Sequence, residues 1–133
     1  MSRTRILLAD DNEELLAELC HELGEEFEIV GTVMNGQDAV NAALRLDPDV
    51  VVLDMSMPIL NGIQASWQIC QKHARSKVLF LTIHESDEYV AAAFSSGASG
   101  YVTKRRIASD LVRAIQEVCL GNPFLSPSLR KSW

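Results

Sequence analysis

The sequence predicts an α/β protein in which helices cover both faces of a doubly wound parallel sheet. Strand-like and helix-like segments alternate five times along the chain, with connections of only a few residues. The run from Asp49 to Asp54 is apolar throughout between its two aspartates, which is typical of a strand that is buried on both faces. Five such units joined by right-handed crossovers give one sheet of parallel strands.

Each predicted element has a local reason. The first helix repeats leucine every three or four positions and ends at Gly24. The second helix cannot pass Pro48, because proline lacks the backbone donor that a helix needs. Ser86 is a predicted N-cap for the fourth helix, Gly97 ends that helix, and Gly121 ends the fifth. The predicted strands are residues 5–10, 27–33, 49–54, 77–82 and 100–103, and the predicted helices are residues 12–23, 36–46, 61–73, 86–96 and 107–120.

Two further expectations concern packing and domain limits. The third helix is predicted to turn Ile63, Trp67 and Cys70 toward the sheet. Residues 122–133 hold two prolines and several polar breaks, and are predicted to be a linker or tail after a single domain at residues 1–121.

The length and composition are those of one globular domain. The chain has 133 residues, of which 47% are hydrophobic and 23% are charged. The formal net charge of −6 argues against nucleic-acid binding by electrostatics alone. No apolar run approaches the roughly 20 residues that span a bilayer, so no membrane partner is expected. The first strand-like segment is too short to be a signal peptide.

The cysteines indicate a reducing compartment. Cys20, Cys70 and Cys119 are odd in number, and each lies in a different helix-like segment. We interpret them as buried, reduced thiols of a cytoplasmic protein. No cysteine or histidine spacing resembles a zinc site.

Acidic and polar side chains follow several of the predicted strands. Asp10 and Asp11 follow the first strand, Asp54 ends the third, and Thr82 and Lys104 mark the ends of the fourth and fifth. Parallel strands end at one edge of a sheet, so these side chains converge if those strands are neighbours. Three close carboxylates repel unless a cation intervenes, and Mg²⁺ is a hard ion that oxygen ligands bind. Asp54 is then the predicted nucleophile toward phosphorus, with Lys104 as the balancing positive charge.

These residues match a known pattern. The match comprises Asp10-Asp11, Leu53-Asp54-Met55-Ser56-Met57-Pro58 with Asn61-Gly62, Thr82, and Tyr101 three residues before Lys104. Over about residues 4–121 the chain resembles the receiver domain of two-component response regulators. The sequence of residues 81–85 and 97–104 resembles that of the NarL/FixJ (LuxR-type) subfamily. The resemblance implies a flavodoxin-like (βα)5 sheet with strand order 2-1-3-4-5.

The resemblance also implies a role for each site residue. Asp54 would accept a phosphoryl group from the phosphohistidine of a sensor histidine kinase. Asp11 and Asp54, with the backbone carbonyl of Ser56, would hold Mg²⁺, and Asp10 would reach the ion through water. Lys104 would pair with a phosphoryl oxygen.

The conformational switch is expected beside this site. Thr82 would move to hydrogen-bond the phosphoryl group, Tyr101 would turn inward behind it, and the face made by the fourth helix, fifth strand and fifth helix would change shape. Ser56, Ile83 and His84 are candidate modulators of dephosphorylation. Ile83 is bulkier than the small residue that many receivers carry there, so we predict that it hinders the attack of water.

The sequence departs from the family pattern at two places, directly after Lys104 and after the fifth helix. Arg105 stands where many receivers have proline, so the usual cis peptide cannot be assumed, and Arg105 and Arg106 are predicted to form a solvated loop. The subfamily continues into a helix-turn-helix DNA-binding domain, and residues 123–127 resemble the start of the linker. The chain is therefore expected to be a receiver fragment or a naturally short protein, with DNA contacted only through a further domain. Homodimerisation on activation is implied by the resemblance alone.

The sequence is compatible with three functions. The first, which we favour, is a phosphorylation-controlled switch rather than a turnover enzyme. The second is a metal-dependent phosphatase with an aspartyl nucleophile, but Ser56 stands where haloacid-dehalogenase-type phosphatases carry their general acid. The third is a receiver-like interaction module that is never phosphorylated, which gives no physical reason for clustered carboxylates.

Overall fold

A computed structural model describes residues 3–72 and 75–132 of the chain. The predicted end of the third helix at His73 and the last residue, Trp133, lie outside the described residues. Within these residues, five helices and six strands alternate, with a 3₁₀ turn at Lys104–Arg106 and a 3₁₀ segment at Pro127–Ser132. The strands are β1 Arg5–Ala9, β2 Glu28–Val33, β3 Val50–Leu53, β4 Lys77–Thr82, β5 Gly100–Thr103 and β6 Phe124–Leu125, and the helices are α1 Glu13–Leu23, α2 Gly36–Leu46, α3 Gly62–Lys72, α4 Asp87–Ser95 and α5 Ile107–Cys119.

All six strands are parallel and lie in the order β2-β1-β3-β4-β5-β6. The predicted flavodoxin-like sheet with order 2-1-3-4-5 is therefore confirmed for the first five strands. Side chains alternate between the two faces of the sheet, as the two-residue period of a strand requires. On β3, Val51 and Leu53 pack with α2, α3 and α4, whereas Val50 and Val52 pack with α1 and α5.

The sixth strand is an element that sequence reasoning missed. Phe124 donates its backbone N–H to the Ser99 carbonyl at 3.1 Å, and Ser126 donates to the Tyr101 carbonyl at 3.0 Å. These bonds add residues 124–125 to the edge of β5. The strand gave no periodic signal, because it is two residues long and lies between Pro123 and Pro127. Part of the predicted linker thus packs on the sheet.

The prediction that Trp67 faces the sheet is wrong. Its side chain is 56% exposed, whereas Ile63 and Cys70 are partly buried against the core. The buried face of α3 consists of positions three and four residues apart, and most of these residues are small. Trp67 lies beside that face, one helical step away from Ser66. The fully buried positions of α3 are Gly62, Ala65, Ser66 and Ile69.

The cap of α4 and the exposure of the cysteines differ from the sequence predictions. Ser86 occupies the N-cap position of α4, but its hydroxyl makes no capping bond to the helix. The three cysteines are free, as predicted, yet Cys20 and Cys70 are only partly buried and Cys119 is exposed.

Within residues 3–72 and 75–132, no helix combines the length and the apolar character that crossing a membrane would demand.

Candidate functional site

Three aspartates meet at the carboxyl edge of the sheet. Asp10 follows β1, Asp11 is the next residue, and Asp54 follows β3, the strand that pairs with β1. Each offers one carboxylate oxygen, and these oxygens lie within 4.8 Å of one another. Asp10 and Asp54 are only 3% and 6% exposed, whereas Asp11 is open to solvent. The predicted convergence of the acidic strand ends is therefore found.

Backbone donors orient the two buried carboxylates. The Asn12 N–H donates to Asp10 Oδ1 at 2.9 Å, and the Met55 N–H donates to Asp54 Oδ1 at 2.9 Å. The backbone of Asp54 is itself fixed, because its N–H donates to the Ala9 carbonyl at 2.9 Å. Both side chains are thus held by the turns that follow their own strands.

Lys104 brings a positive charge to the same place. It follows β5, two strands away from β3, and its side chain reaches back across the end of β4. Its Nζ lies 2.8 Å from Asp10 Oδ2 and 3.6 Å from Asp54 Oδ1. The Lys104 side chain is mostly buried, with 20% of it exposed. One lysine therefore balances part of the charge of three carboxylates.

The remaining negative charge shows in the acidity of Asp54. The pKa of Asp54 is raised from 3.8 to about 6, mainly by burial and then by the nearby Asp10, while Lys104 and the Met55 N–H act in the opposite direction. Desolvation and a like charge both disfavour the carboxylate form. The three carboxylates offer hard oxygen donors and carry charge that Lys104 does not balance. They therefore suit a hard divalent cation such as Mg²⁺.

Gly62 explains why the loop after Asp54 can return so tightly. Its N–H donates to the Met55 carbonyl at 2.8 Å, which starts α3 directly against the end of β3. A Cβ atom on Gly62 would collide with the backbone carbonyl oxygen of Asp54. The absence of a side chain at this position therefore sets the distance between α3 and the site.

Thr82 and Tyr101 are both fully buried and both contact the backbone of His84. The Thr82 hydroxyl accepts the His84 N–H at 3.3 Å, and the Tyr101 hydroxyl donates to the His84 carbonyl at 2.8 Å. Burial raises the pKa of Tyr101, so the phenol stays protonated and remains a donor. Tyr101 lies inward in this structure, with its hydroxyl bonded to the loop that precedes α4.

His84 links two loops beside the carboxylates, a contact that sequence reasoning did not find. Its Nε2 lies 3.1 Å from Ser56 Oγ in the loop after β3. Its ring also stacks on Tyr89 of α4, with 4.1 Å between the ring centroids. The neighbouring Ile83 is 71% exposed. Among the three candidate modulators of dephosphorylation, Ser56 and His84 thus form one unit, and Ile83 projects into solvent.

The two arginines after Lys104 pair with carboxylates. Arg105 contacts Glu85 through two hydrogen bonds of 2.6 and 2.9 Å. Arg106 Nε lies 3.4 Å from Asp110 Oδ2. The part of the chain that the structure describes contains no cis peptide bond. The arginines are therefore engaged by specific partners, which the prediction of a solvated loop did not include.

The comparisons with known proteins agree with this architecture. The family model for the response regulator receiver domain matches residues 6–116. The transcriptional regulatory protein LnrK of Bacillus subtilis is 37% identical over 128 residues, which cover 94% of this chain and 58% of that protein. DegU of Brevibacillus brevis is 36% identical over 104 residues, or 78% of this chain and 44% of that protein. The chain thus spans about half the length of these curated relatives.

Solved structures give the same result. The chain is similar to a crystal structure of a LuxR-family two-component response regulator from Aurantimonas sp. SI85-9A1, with a TM-score of 0.93, 30% identity, and coverage of 98% of this chain and 94% of that one. It is also similar to a LuxR-family DNA-binding response regulator from Staphylococcus aureus, with a TM-score of 0.82, 30% identity, and coverage of 87% and 98%. The chain therefore belongs to the response regulator receiver domain family, and its relatives are LuxR/NarL-type regulators of two-component signalling.

Proposed function

We propose that this chain is a phosphorylation-controlled switch in which Asp54 accepts a phosphoryl group from a sensor histidine kinase. The observation that carries the proposal is the convergence of Asp10, Asp11, Asp54 and Lys104 on one point. A charge cluster of this kind is what phosphoryl transfer requires, because the reaction is promoted mainly by positioning and by stabilisation of charge.

The chemistry begins with the Asp54 carboxylate. With a pKa of about 6, most of this group is ionised at pH 7, so an oxygen of Asp54 is available as a nucleophile. That oxygen attacks phosphorus, the phosphorus–nitrogen bond to the donor imidazole breaks, and the imidazole leaves with the electron pair and takes up a proton. The product is an acyl phosphate on Asp54. The Lys104 ammonium pairs with one of the phosphoryl oxygens.

The acidic cluster is also the proposed metal site. Asp11, Asp54 and the backbone carbonyl of Ser56 would hold Mg²⁺, with Asp10 contributing through water. The bound ion supplies charge neutralisation to the phosphoryl oxygens. Without it, Asp54 stays beside two other carboxylates with Lys104 as the balancing cation, so we expect phosphorylation to depend on Mg²⁺.

The switch itself is proposed to start at Thr82. Its hydroxyl now accepts the His84 N–H, and a new bond to the phosphoryl group would withdraw it from that contact. Tyr101 bonds the carbonyl of the same residue, so both side chains act on the loop that leads into α4. A change in this loop would move the face formed by α4, β5 and α5, which is the proposed output surface.

The proposed partners of this chain are those of its family. A sensor histidine kinase would donate the phosphoryl group, and the output would be regulation of transcription, as the names of the relatives LnrK and DegU state for those proteins. DNA would be contacted through a further helix-turn-helix domain, and homodimerisation would accompany activation. The phosphatase alternative is disfavoured, because Ser56 cannot replace a carboxylic acid as proton donor.

The test is incubation with acetyl phosphate and Mg²⁺, followed by intact-mass measurement. We expect one added phosphoryl group on the wild type, none on Asp54→Ala, and an unchanged yield on Asp38→Ala, which removes an exposed aspartate outside the cluster. An adduct that persists in Asp54→Ala, or no adduct on the wild type, would contradict the proposal. Sustained hydrolysis of p-nitrophenyl phosphate would instead support the phosphatase.

A further inference from the structure

A buried serine connects the last strand to the turn that carries Lys104. Ser126 follows β6 and is fully buried. Its backbone N–H donates to the Tyr101 carbonyl at 3.0 Å. Its hydroxyl accepts the Thr103 N–H at 3.2 Å and donates to Asp110 Oδ2 at 3.0 Å. Ser126 is therefore hydrogen-bonded to residues of β5 and of α5, on both sides of Lys104 in the sequence.

Asp110 holds the same turn at both of its ends. Lys104–Arg106 forms a 3₁₀ turn between β5 and α5. At its beginning, Asp110 acts through Ser126 on the Thr103 N–H, and at its end, Asp110 pairs directly with Arg106 at 3.4 Å. Asp110 is only 5% exposed, so solvent competes little for these bonds. The sequence has no proline in this turn to fix the backbone in another way.

The position of the Lys104 ammonium depends on this turn. Lys104 directly follows Thr103, and its Nζ must reach across β4 to lie 2.8 Å from Asp10 and 3.6 Å from Asp54. A small rotation of the backbone at the start of the turn is amplified along the lysine side chain. A hydroxyl that fixes the Thr103 N–H therefore limits where the ammonium can go.

We propose that Ser126 and Asp110 are positioning residues for Lys104, and that residues 124–126 belong to the phosphorylation machinery of the receiver. This inference rests on the proposed function, in which Lys104 pairs with the phosphoryl group. Ser126 and Asp110 touch neither Asp54 nor the phosphoryl group, and they act through Thr103 and the turn. By thermodynamic reciprocity, occupation of the site also tightens the docking of β6 on β5.

The first test compares phosphorylation rates with acetyl phosphate and Mg²⁺ at a temperature where all variants are folded. Ser126→Ala should slow phosphorylation of Asp54 by roughly three- to tenfold, the equivalent of one hydrogen bond. Ser76→Ala is the matched control. Ser76 is also buried, and its hydroxyl also donates one hydrogen bond, to the Pro48 carbonyl at 2.7 Å. It lies before β4, at the amino-terminal ends of the strands and away from the carboxylates. Its rate should equal that of the wild type.

Conservative and disruptive changes of Asp110 separate positioning from simple stabilisation. Asp110→Asn keeps an oxygen that can accept the Ser126 hydroxyl, so it should retain most of the rate, whereas Asp110→Ala should resemble Ser126→Ala. A wild-type rate in Ser126→Ala, or equal slowing by Ser76→Ala, would overturn the inference. Failure of the proposed function itself would look different, because the wild type would then gain no phosphoryl group.

The second test needs no substitution. Amide hydrogen exchange of Thr103 and Ser126 is measured in the wild type with and without beryllofluoride and Mg²⁺. Exchange at both amides should slow by at least about threefold on binding, since tighter docking of β6 protects the Thr103 and Ser126 N–H groups. Unchanged exchange at these two amides, despite beryllofluoride binding, would contradict the coupling even if Ser126→Ala failed to fold.

Discussion

Replacing Asp54 by asparagine should make the metal-free protein more stable at neutral pH, although the change removes the proposed phosphoacceptor. The reason lies in the buried carboxylate, whose charged form is disfavoured by burial and by Asp10. Asparagine has nearly the same shape, can still accept the Met55 N–H, and carries no charge. It therefore removes the electrostatic cost and keeps the local geometry.

The magnitude follows from the pKa. Folding raises the pKa of Asp54 from 3.8 to about 6, and one pKa unit corresponds to about 1.4 kcal/mol. Ionisation of Asp54 therefore lowers the free energy of unfolding by about 3 kcal/mol above pH 6. Between the two pKa values the folded state binds more protons than the unfolded state, so the free energy of unfolding falls as pH rises from 3.8 to about 6. The cost of ionising Asp54 is therefore absent below pH 3.8 and fully present above pH 6.

The assay is urea denaturation of the wild type and Asp54→Asn in EDTA at pH 7.5 and at pH 4. The variant should be about 3 kcal/mol more stable at pH 7.5, and most of the difference should vanish at pH 4. Asp38→Asn, a change of an exposed aspartate, is the control and should show no such difference. Added Mg²⁺ should stabilise the wild type and have less effect on Asp54→Asn. Equal stability of both proteins at pH 7.5 in EDTA would refute the electrostatic reasoning.

Three other substitutions test separate parts of the structure. Gly62→Ala should lower the free energy of unfolding by about 2 kcal/mol or more, because its Cβ collides with the Asp54 carbonyl; unchanged stability in urea would contradict this. Ile59→Gly should raise stability by about 1 kcal/mol, since Ile59 is 80% exposed and has a φ of 71°; a lower urea midpoint would oppose it. Ile83→Ala should shorten the phosphoaspartate lifetime several-fold, and an unchanged decay by intact mass would exclude a shielding role.

The sequence was most informative at β3, where an apolar run ends in a carboxylate. The apolar run of β3 predicts a strand covered on both faces, and such a strand belongs to a parallel sheet. A carboxylate at its end then has a defined place at the carboxyl edge. Because β1 and β3 are neighbours, Asp10 and Asp54 had to meet. The order of the strands came from the family resemblance, since local patterns do not encode which strands pair.

The features that sequence reasoning missed depend on pairing through space. Ser126 and Asp110 are ordinary residues in a predicted tail and a predicted helix, and only the docking of β6 brings them together. His84 and Ser56 lie 28 positions apart and meet because two loops share one edge of the sheet. Trp67 was misplaced because a helical repeat of apolar residues does not show how wide the buried face is.

Locating the modified residue tests most directly whether Asp54 receives the phosphoryl group in a Mg²⁺-dependent reaction. The protein is treated with acetyl phosphate, the acyl phosphate is reduced with borohydride, and the resulting homoserine is located by peptide mass spectrometry. We predict homoserine at position 54 alone, formed with Mg²⁺ and lost in EDTA. Homoserine at another aspartate, or the same yield at position 54 in EDTA, would contradict the account.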